Sequence, residues 1–217
     1  MKGKLVIYGT GKIAEVIYFY FKNDSEYEVV AFTNAKEFIT QDNFLGLPLV
    51  PFEHIELYYP PSDYFLFIAV GYLRRNKIRA QRYLEAKQKG YRLASYVSSK
   101  ATYYGTPIGE NCFILENNVI QPFVTIGNNV IIWSGSQISH HSVIMDHCFI
   151  ASHVAISGNC VIREYCFLGV NSTLRDNITL GRFTIVGAGA TVLKDCPDYS
   201  LVKPSKSEYL IIEQDIL

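Results

Sequence analysis

Apolar and polar positions along the first 97 residues follow alternating strand and helix patterns. Compact apolar runs that predict buried strands are KLVIYG, YEVVAFT, YFLFIAVG and YRLASYV. Between them, GKIAEVIYFYFKN has the three-and-four apolar spacing of an amphipathic helix, and RRNKIRAQRYLEAKQKG predicts a charged helix ending at Gly90. Strands alternating with helices are typical of a parallel sheet with crossover connections. The pattern therefore predicts a small α/β, Rossmann-like domain over residues 1–97.

The hydrophobic period changes to six residues from Ile108 onward. An aliphatic residue recurs without interruption at Ile108, Ile114, Ile120, Ile126, Ile132, Ile138, Ile144, Ile150, Ile156, Ile162, Leu168, Leu174, Leu180, Val186 and Val192. A hexapeptide period is typical of a parallel β-helix, in which each repeat supplies a short strand and a corner. Three repeats close one triangular coil, so residues eighteen apart stack around a shared dry interior. We expect this β-helix to span residues 98–195 and a C-terminal tail to follow at 196–217.

The cysteines are explained by a second register, four residues after each aliphatic position. Its members are Cys112, Asn118, Val124, Val130, Ser136, Ser142, Cys148, Val154, Cys160, Cys166, Ser172, Ile178, Thr184 and Ala190. Nearly all are small or β-branched, and they include four of the five cysteines, so we expect those to be compact buried residues. The odd count and the lack of a CxxC pair argue against disulfides and against a structural zinc knuckle.

Charge and composition narrow the class of partner. The 217 residues carry 20 Lys and Arg against 20 Asp and Glu, so the chain lacks the basic excess expected for nucleic-acid binding. Neither a long apolar run nor a signal-peptide pattern is present, so we expect a cytoplasmic protein without membrane insertion.

A glycine-rich turn follows the first predicted strand. GTGKIAE places Gly9 and Gly11 in a G-x-G-x-x-A arrangement at the start of the first helix, where backbone amides can face an anion. A dinucleotide is disfavoured, because Thr33 and Asn34 stand where an NAD site usually has an acidic ribose ligand. The alternative interpretation is an ordinary structural turn.

A short Rossmann-like domain followed by an uninterrupted hexapeptide β-helix resembles the bacterial nucleotide-sugar acetyltransferases of the left-handed β-helix superfamily. This group includes the bacillosamine-pathway and perosamine N-acetyltransferases and the sialic-acid O-acetyltransferases. The pieces that carry the resemblance, across roughly residues 4–195, are VIYGTGKIAE, FIAVGY, SHHSVIMDHCFIA, ISGN and FLGVNSTLRDNITLG. The resemblance implies a left-handed coil, a homotrimer, and acetyl-CoA bound as co-substrate between neighbouring β-helices.

The resemblance also implies roles for particular residues. His140 matches the family's catalytic base, and the Gly158 amide matches the contact to the thioester carbonyl. The residues that match the pantetheine channel of acetyl-CoA are Val170, Gly187 and Ala188. The residues that match the nucleotide-sugar site, in the glycine-rich turn and at the strand ends, are Gly9, Thr10, Gly11, Thr33, Asn34, Gly71 and Tyr72.

Two positions depart from the family's pattern. Many relatives have an acidic residue directly after the base, which would raise the base's pKa and fix its tautomer, whereas this chain has His141. We expect either that another acid, Asp146, takes the orienting role or that the base is less strongly tuned, and that His141 assists on the substrate side. Relatives often end in a G-x-P-A-K turn near the CoA adenine, whereas LVKPSKSEYL keeps the proline without the glycine. No CoA contact is therefore assigned to the tail.

The other histidines of segment 134–159 are His141, His147 and His153, each at the fourth place of its hexapeptide. Six-residue spacing sends them to different faces, so we expect His147 and His153 on the surface or at a trimer interface. A zinc site of the γ-carbonic anhydrase type needs two converging histidines from one chain and a third from its neighbour, which this spacing disfavours. We therefore expect no metal.

The expected activity is acetyl-CoA-dependent N-acetylation of a nucleotide-linked amino sugar, of the 4-amino-4,6-dideoxy type, in the biosynthesis of surface glycans such as lipopolysaccharide O-antigen. His140 would take the amine proton during direct attack on the thioester, since no serine or cysteine stands in a recognisable nucleophile arrangement. The alternatives are O-acetylation of a sugar hydroxyl, a zinc-dependent hydratase, and a purely structural β-helix.

Overall fold

The computed structural model describes residues 3–205, which begin with a six-stranded sheet. Its strands are β1 (Gly3–Tyr8), β2 (Tyr27–Asn34), β3 (Asn43–Phe44), β4 (Leu47–Pro51), β5 (Tyr64–Ile68) and β6 (Arg92–Leu93). The helices are α1 (Lys12–Asn23) and α2 (Lys77–Gln88), with 3₁₀ turns at Lys36–Phe38 and Phe52–Leu57. The strand order is β3-β4-β2-β1-β5-β6, parallel apart from the β3–β4 hairpin. The predicted Rossmann-like fold is confirmed.

The two helices pack on opposite faces of this sheet. Successive side chains of a strand point to opposite sides, so Ile7 of β1 packs with Ile17 and Phe21 of α1, whereas Val6 packs with Tyr83 of α2. A sheet covered on both faces needs apolar residues at every central position. This is why its strands appear in the sequence as continuous apolar runs.

From Tyr96 onward the chain winds into a parallel β-helix with three faces. The covered face, on which the N-terminal domain packs, comprises β7 (Tyr96–Val97), β9 (Phe113–Ile114), β12 (Ile131–Ile132), β15 (Phe149–Ile150), β18 (Phe167–Leu168), β21 (Ile185–Val186) and β23 (Leu201–Val202). The six-stranded open face comprises β8 (Thr102–Tyr103), β10 (Val119–Ile120), β13 (Gln137–Ile138), β16 (Ala155–Ile156), β19 (Thr173–Leu174) and β22 (Thr191–Val192). The four-stranded open face comprises β11 (Thr125–Ile126), β14 (Val143–Ile144), β17 (Val161–Ile162) and β20 (Thr179–Leu180).

The predicted aliphatic series forms the interior of this coil. Strands β11, β14, β17 and β20 pair in register, and each aliphatic residue lies over the one eighteen residues earlier. The cysteines of the second register, Cys112, Cys148, Cys160 and Cys166, are buried in the same core, whereas Cys196 is half-buried. The prediction of a hexapeptide β-helix with buried cysteines is confirmed.

Each repeat has one residue in the left-handed backbone region. Positive φ recurs every six residues, at Asn111, Asn117, Phe123, Asn129, Gly135, His141, His147, His153, Asn159, Tyr165, Asn171, Asn177, Phe183 and Gly189. Glycine and asparagine adopt this region readily, and histidine is enriched there. The regular spacing of His141, His147 and His153 therefore follows from the corner backbone as much as from any chemistry.

The coil extends beyond its expected limits at both ends. YRLASYV, predicted as one strand, divides into β6 of the N-terminal sheet and β7 of the covered face. At the other end Cys196 bridges to Leu180 and β23 pairs with β21, so the first part of the predicted tail continues the coil. The aliphatic series gives no sign of either extension, because the positions that would continue it are Thr102 and Asp198.

The N-terminal domain is fixed to the covered face by an aromatic layer and one buried arginine. Phe113 and Phe149 point outward from the coil into the same cluster as Phe21 of α1. Arg79 of α2 is fully buried, and burial lowers the pKa of its guanidinium to about 10. Its N–H groups donate to the carbonyl oxygens of Gly71, Asn129, His147 and Cys148 and to the side-chain oxygens of Asn76 and Asn129.

Candidate active site

His140 lies at the corner that leads from β13 on the six-stranded open face to β14 on the four-stranded one. Stacking of residues eighteen apart puts Gly158 beside its ring, where a Cβ atom would lie 2.6 Å from Cε1 and 2.9 Å from Nε2 of His140. Only glycine leaves room there for the imidazole. The Gly158 amide donates no hydrogen bond within residues 3–205. A backbone amide without an acceptor and an imidazole are thus neighbours at one corner.

The ring of His140 contacts the ring of the next residue. The Nδ1 atoms of His140 and His141 are 3.2 Å apart, so one of them donates a hydrogen bond and the other accepts it. His141 has a φ of 59° and packs on Phe123, with ring centroids 4.7 Å apart. The His140 amide also donates to Oε1 of Gln121 at 2.9 Å. Backbone and ring of His140 are therefore both held by neighbouring groups.

Asp146 is not placed to orient His140. Its Oδ1 accepts the Asn128 backbone N–H at 2.7 Å, and its carboxylate lies 3.4 Å from the Asn128 side-chain amide. Six residues after His140, Asp146 occupies the next corner of the coil, beyond the four-stranded open face. The expectation that Asp146 takes the orienting role is corrected, and within the chain the contact to His140 comes from His141.

His147 is buried, which corrects its expected surface position. It is 7% exposed and lies under α2, with its ring centroid 5.6 Å from that of Tyr83. Because Oδ1 of Asn129 already accepts hydrogen bonds from Asn111 and Arg79, the Asn129 amide group must donate to Nδ1 of His147, 2.9 Å away. A protonated Nδ1 could not accept this bond. Burial is the chief reason that the pKa of His147 is lowered to about 4.

The remaining corner histidine, His153, is exposed and covers Gly135, where a Cβ atom would lie 2.4 Å from the His153 ring. His141, His147 and His153 thus occupy three different corners. Within residues 3–205, no group of three or more His, Cys, Asp or Glu side chains is arranged to hold a metal ion.

A cavity of 330 Å³ opens where the covered face turns toward the six-stranded open face. The residues that line it are Ile13 and Tyr72 of the N-terminal domain and Trp133, Phe149, Ala151, Ser152, Phe167, Gly169, Val170 and Ala188 of the β-helix. It brings Tyr72, expected to bind the nucleotide sugar, together with Val170 and Ala188, expected to line the pantetheine channel. Trp133 and Ala188 are three coils apart, so the cavity extends for about 14 Å along the axis.

Trp133, Phe149 and Phe167 are cavity residues that the sequence analysis missed. Phe149 and Phe167 hold the outward position of their strands, where the open faces have residues such as Thr173 and Thr179. Aromatic residues at this position, eighteen apart, were the available signal for a covered face. Trp133 directly follows β12 and is the chain's one tryptophan.

The glycine-rich turn has tight geometry at the start of α1. Gly9 has a φ of 120° and donates its N–H to the Thr33 carbonyl at 2.8 Å, and a Cβ atom there would lie 2.8 Å from a neighbouring backbone oxygen. Gly11 is the N-cap of α1. The Asn34 side chain donates to Oγ1 of Thr10 at 2.9 Å, which joins the turn to the end of β2.

Two residues expected to bind the nucleotide sugar are used within the fold. Thr33 is fully buried, and its hydroxyl donates to the Val50 carbonyl at 2.8 Å. The Gly71 carbonyl accepts a hydrogen bond from Arg79 at 3.1 Å, and a Cβ atom at Gly71 would lie 2.7 Å from Cδ1 of Ile13. Thr33 is therefore a packing residue, and Gly71 keeps the loop after β5 close to α1.

Gly187 lies under the last coil instead of in the cavity. Its N–H donates to the Val202 carbonyl at 2.9 Å, and a Cβ atom at Gly187 would lie 2.9 Å from Cδ of Pro204. The proline that this chain shares with the family's terminal turn therefore packs beside Gly187, whereas the cavity is lined by the next residue, Ala188. The rest of LVKPSKSEYL, from residue 206, lies outside the described residues.

The two groups of site residues lie in different parts of the coil's cross-section. His140 is at the corner between the two open faces, whereas the cavity lies on and beside the covered face. One side of the triangle separates them, which is six residues of nearly extended chain or roughly 15–20 Å. Within one chain, the imidazole does not face the cavity.

Comparison with known proteins agrees with this architecture. Residues 105–140 match the family model described as bacterial transferase hexapeptide (six repeats). No curated protein sequence matches the chain significantly.

Solved structures share the fold over nearly the whole chain. The acetyltransferase domain of PglB from Neisseria gonorrhoeae FA1090, in complex with acetyl coenzyme A, has a TM-score of 0.82 at 23% identity and covers 94% of this chain and 100% of that chain. A histidine variant of perosamine N-acetyltransferase from Caulobacter crescentus, in complex with CoA and GDP-perosamine, has a TM-score of 0.80 at 26% identity and covers 92% of each chain. WeeI from Acinetobacter baumannii AYE has a TM-score of 0.71 at 18% identity and covers 91% of this chain and 94% of that chain.

The fold and the repeats define the class of protein. Hexapeptide repeats behind an N-terminal α/β domain are an architecture that this chain shares with sugar acetyltransferases. This confirms the resemblance and the enzyme class predicted from the sequence. Over residues 3–205, neither helix has the length and apolar character needed to span a membrane.

Proposed function

We propose that this protein is an acetyl-CoA-dependent N-acetyltransferase that acts on the amino group of a nucleotide-linked sugar, of the 4-amino-4,6-dideoxy type, in surface-glycan biosynthesis. The observation that carries the proposal is the placement of Gly158 beside the ring of His140. A base and a backbone donor are the two groups that acyl transfer from a thioester requires. The perosamine N-acetyltransferase of shared fold is in complex with CoA and GDP-perosamine, which supports a nucleotide-linked acceptor.

In the proposed reaction the amine attacks the thioester carbonyl carbon directly. As the C–N bond forms, Nε2 of His140 takes the proton that the amine loses, and the Gly158 N–H donates to the developing oxyanion. The C–S bond then breaks, and the CoA sulfur leaves with the proton returned by His140. A cysteine acyl-enzyme is disfavoured, because burial raises the pKa of the Cys160 and Cys148 thiols.

His141 supports the tautomer that this reaction needs. The 3.2 Å contact between the two Nδ1 atoms admits one proton. When His140 donates that proton to His141, Nε2 of His140 carries a lone pair and is able to act as the base. After His140 takes the substrate proton, the same contact becomes a charge-assisted hydrogen bond. The hydrogen bond to His141 thereby fixes the tautomer of His140, as a charged carboxylate is expected to do in many relatives.

This neutral partner favours an amine over a hydroxyl as the acceptor. Among residues 3–205, the ring nitrogens of His140 are hydrogen-bonded to His141 and to no carboxylate. A sugar hydroxyl is a far weaker acid than an ammonium group, so O-acetylation would depend more heavily on a strongly tuned base. N-acetylation therefore requires a less strongly tuned base than O-acetylation does.

The nucleotide is proposed to bind at the start of α1. Gly9 and Gly11 leave the turn open to a phosphate, and the α1 N-terminus presents amides to it. Thr10 lies in this turn and Asn34 is hydrogen-bonded to it, whereas Tyr72 lines the cavity. Val170 and Ala188 are proposed to contact the pantetheine arm of acetyl-CoA. The use of acetyl-CoA as co-substrate supports a cytoplasmic location.

A homotrimer would complete the site. In one chain the cavity and His140 are separated by a full side of the coil, so substrate in the cavity needs a base from another copy. Closed rings of identical subunits bring one corner of each copy to the next copy's face. We propose that His140 of one subunit faces the cavity of its neighbour, with acetyl-CoA in the groove between them.

The test is thiol release from acetyl-CoA with a panel of UDP-, dTDP- and GDP-linked amino sugars, with unaminated sugars as controls. One amino sugar should turn over with wild-type protein, and His140→Ala should reduce that rate by about 10²–10⁴. His153→Asn, at an exposed corner with the same backbone geometry as His141, should keep full activity and serves as the matched control. Turnover on a hydroxyl sugar alone would indicate O-acetylation. If no sugar of the panel causes thiol release and the protein contains bound zinc, acyl transfer is contradicted.

A further inference from the structure

The 330 Å³ cavity has an apolar, largely aromatic wall. Tyr72 lies over two phenylalanines of the covered face, with ring centroids 5.0 Å from Phe149 and 4.8 Å from Phe167. Trp133 and Ile13 also line the cavity. A volume near the lower end of the roughly 300–1,000 Å³ range of ligand pockets suits a single ring.

The charges around the cavity exclude a phosphate from its interior. Among the described residues that line it, Ser152 has the one aliphatic hydroxyl and none is a lysine, arginine or histidine that could pair with an anion. An anion buried there would lack a partner, which is costly. An uncharged, partly apolar group is what this wall would stabilise.

Trp133 supplies a second, independent observation. Its indole Nε1–H is shielded from solvent and has no hydrogen-bond acceptor within residues 3–205, although the ring lines the cavity. Buried donors are nearly always paired, so an orphaned one requires an explanation. A ligand oxygen in the cavity would provide the missing acceptor.

The cavity lies next to the start of α1, because Ile13 lines it. Ile13 lies in the first turn of α1, two residues after Gly11, and touches the loop at Gly71. Tyr72 is the next residue of that loop. A diphosphate at the start of α1 would therefore direct the group attached to it toward the space between Tyr72 and Trp133.

We propose, on the basis of the proposed function, that the end of this cavity between Tyr72 and Trp133, away from Ala188, holds the pyranose ring of the substrate with a methyl-bearing edge against the aromatic wall, and that Trp133 determines specificity for it. The indole Nε1–H donates to a ring or hydroxyl oxygen of the sugar. Phe149 and Phe167 contact the carbon that is deoxygenated in a 6-deoxy sugar. A 6-hydroxyl group at this place would be desolvated without a partner.

The expected difference in affinity between the 6-deoxy and 6-hydroxyl sugars is limited to what one hydroxyl group can contribute. Apolar pockets reject an added hydroxyl by factors up to about 10². We therefore expect a nucleotide-linked 4-amino-4,6-dideoxyhexose to bind about 10- to 100-fold more tightly than its 6-hydroxyl counterpart on the same nucleotide.

The chain's one tryptophan allows binding to be followed without turnover. The full-length protein, saturated with CoA in place of acetyl-CoA, is titrated with the two nucleotide sugars and with the free nucleoside diphosphate. Calorimetry gives each Kd, and tryptophan emission reports on Trp133. Both sugars should change the emission, the dideoxy sugar at the lower concentration, and the free nucleotide should bind with emission unchanged.

Two substitutions separate the ring of Trp133 from its N–H. Trp133→Phe keeps the apolar wall, so the preference for the dideoxy sugar should remain while both sugars bind several-fold more weakly. Trp133→Asn should reduce the preference to less than about threefold, because the wall then offers the 6-hydroxyl a partner. Phe19→Asn, a substitution of an exposed aromatic residue on α1 outside the cavity, should leave the preference unchanged.

The outcomes distinguish this inference from the proposed function. If an amino sugar is acetylated but its binding leaves Trp133 emission unchanged, or if Trp133→Asn retains the full preference, the sugar subsite is wrong and the acetyltransferase stands. If no nucleotide sugar binds or is acetylated, the proposed function fails and this inference fails with it.

Discussion

The covered face and the open faces of the β-helix share one repeat but differ at one position of each strand. The inward residue is aliphatic in every strand except β8, where it is Tyr103. The outward residues of the covered face are Tyr96, Phe113, Ile131, Phe149, Phe167, Ile185 and Leu201, whereas those of the six-stranded open face are Thr102, Val119, Gln137, Ala155, Thr173 and Thr191. The inward position specifies the coil, and the outward position specifies what packs on it.

The same contrast separates the corner histidines. His141 and His147 have the same backbone conformation, six residues apart. α2 covers His147, which becomes part of a buried hydrogen-bond network with Asn129 and Arg79. Nothing within residues 3–205 covers His140 or His141, so their rings stay accessible to substrate. Coverage by the N-terminal domain thus separates the buried His147 from the accessible His140 and His141.

Arg79→Met should reduce the stability of the protein more than any other substitution considered below. The substitution removes six hydrogen bonds and leaves four buried oxygens without a donor, so we expect a loss of at least about 4 kcal/mol in the free energy of unfolding. Denaturant unfolding of the two proteins measures it. Arg175→Met, at an exposed position of the β-helix, should stay within about 0.5 kcal/mol of wild type. Equal losses in both variants would contradict the role assigned to Arg79.

Phe113→Ala tests the aromatic layer apart from the cavity. Phe113 is 1% exposed and does not line the cavity, so its truncation should cost about 3–4 kcal/mol of stability through lost burial and a residual void. Thr173→Ala removes the outward residue of an open-face strand and should cost less than about 0.5 kcal/mol. Thermal or denaturant unfolding distinguishes the two, and a similar cost for both would erase the contrast between faces.

His147 should make stability depend on pH. Its pKa is about 4 in the folded protein against an ordinary value of 6.5, so the unfolded chain takes up the proton first as pH falls. The stability that depends on a neutral His147 is fully present above pH 6.5. As the pH falls toward 4, the free energy of unfolding decreases by up to about 3 kcal/mol. His147→Asn, which tolerates the same backbone, should flatten this slope in unfolding curves at several pH values. An unchanged slope would show that other groups set it.

His141 should have the smallest of these effects, and on rate instead of stability. His141→Ala removes the acceptor for Nδ1 of His140, so kcat should fall about tenfold with little change in KM. His141→Asn tolerates the backbone and supplies an amide oxygen as acceptor, so it should recover most of the rate. Loss in both variants alike would indicate that His141 acts by packing on Phe123 instead.

The interior of the coil could be predicted almost completely from the sequence. Six-residue spacing of aliphatic residues determines strand positions, and eighteen-residue stacking predicts that Gly158 lies beside His140. The burial of His147 could not be predicted, because it depends on where α2 lies in space. The six hydrogen bonds of Arg79 and the closure of Tyr72 over Phe149 likewise join residues distant in sequence that no local period relates. The place of Trp133 in the cavity could not be predicted either, because neither the six- nor the eighteen-residue period relates it to the other aromatic residues of the cavity.

The central claim is that the cavity of one subunit and His140 of another form the site. Its most direct measurement is complementation between His140→Ala, which lacks the base, and Ala188→Trp, which fills the cavity from an exposed position. Each variant alone should be inactive, whereas trimers assembled from an equal mixture by joint refolding should show about one quarter of wild-type activity, because one interface in four pairs an intact base with an intact cavity. Activity no higher than that of the separate variants would contradict a shared site.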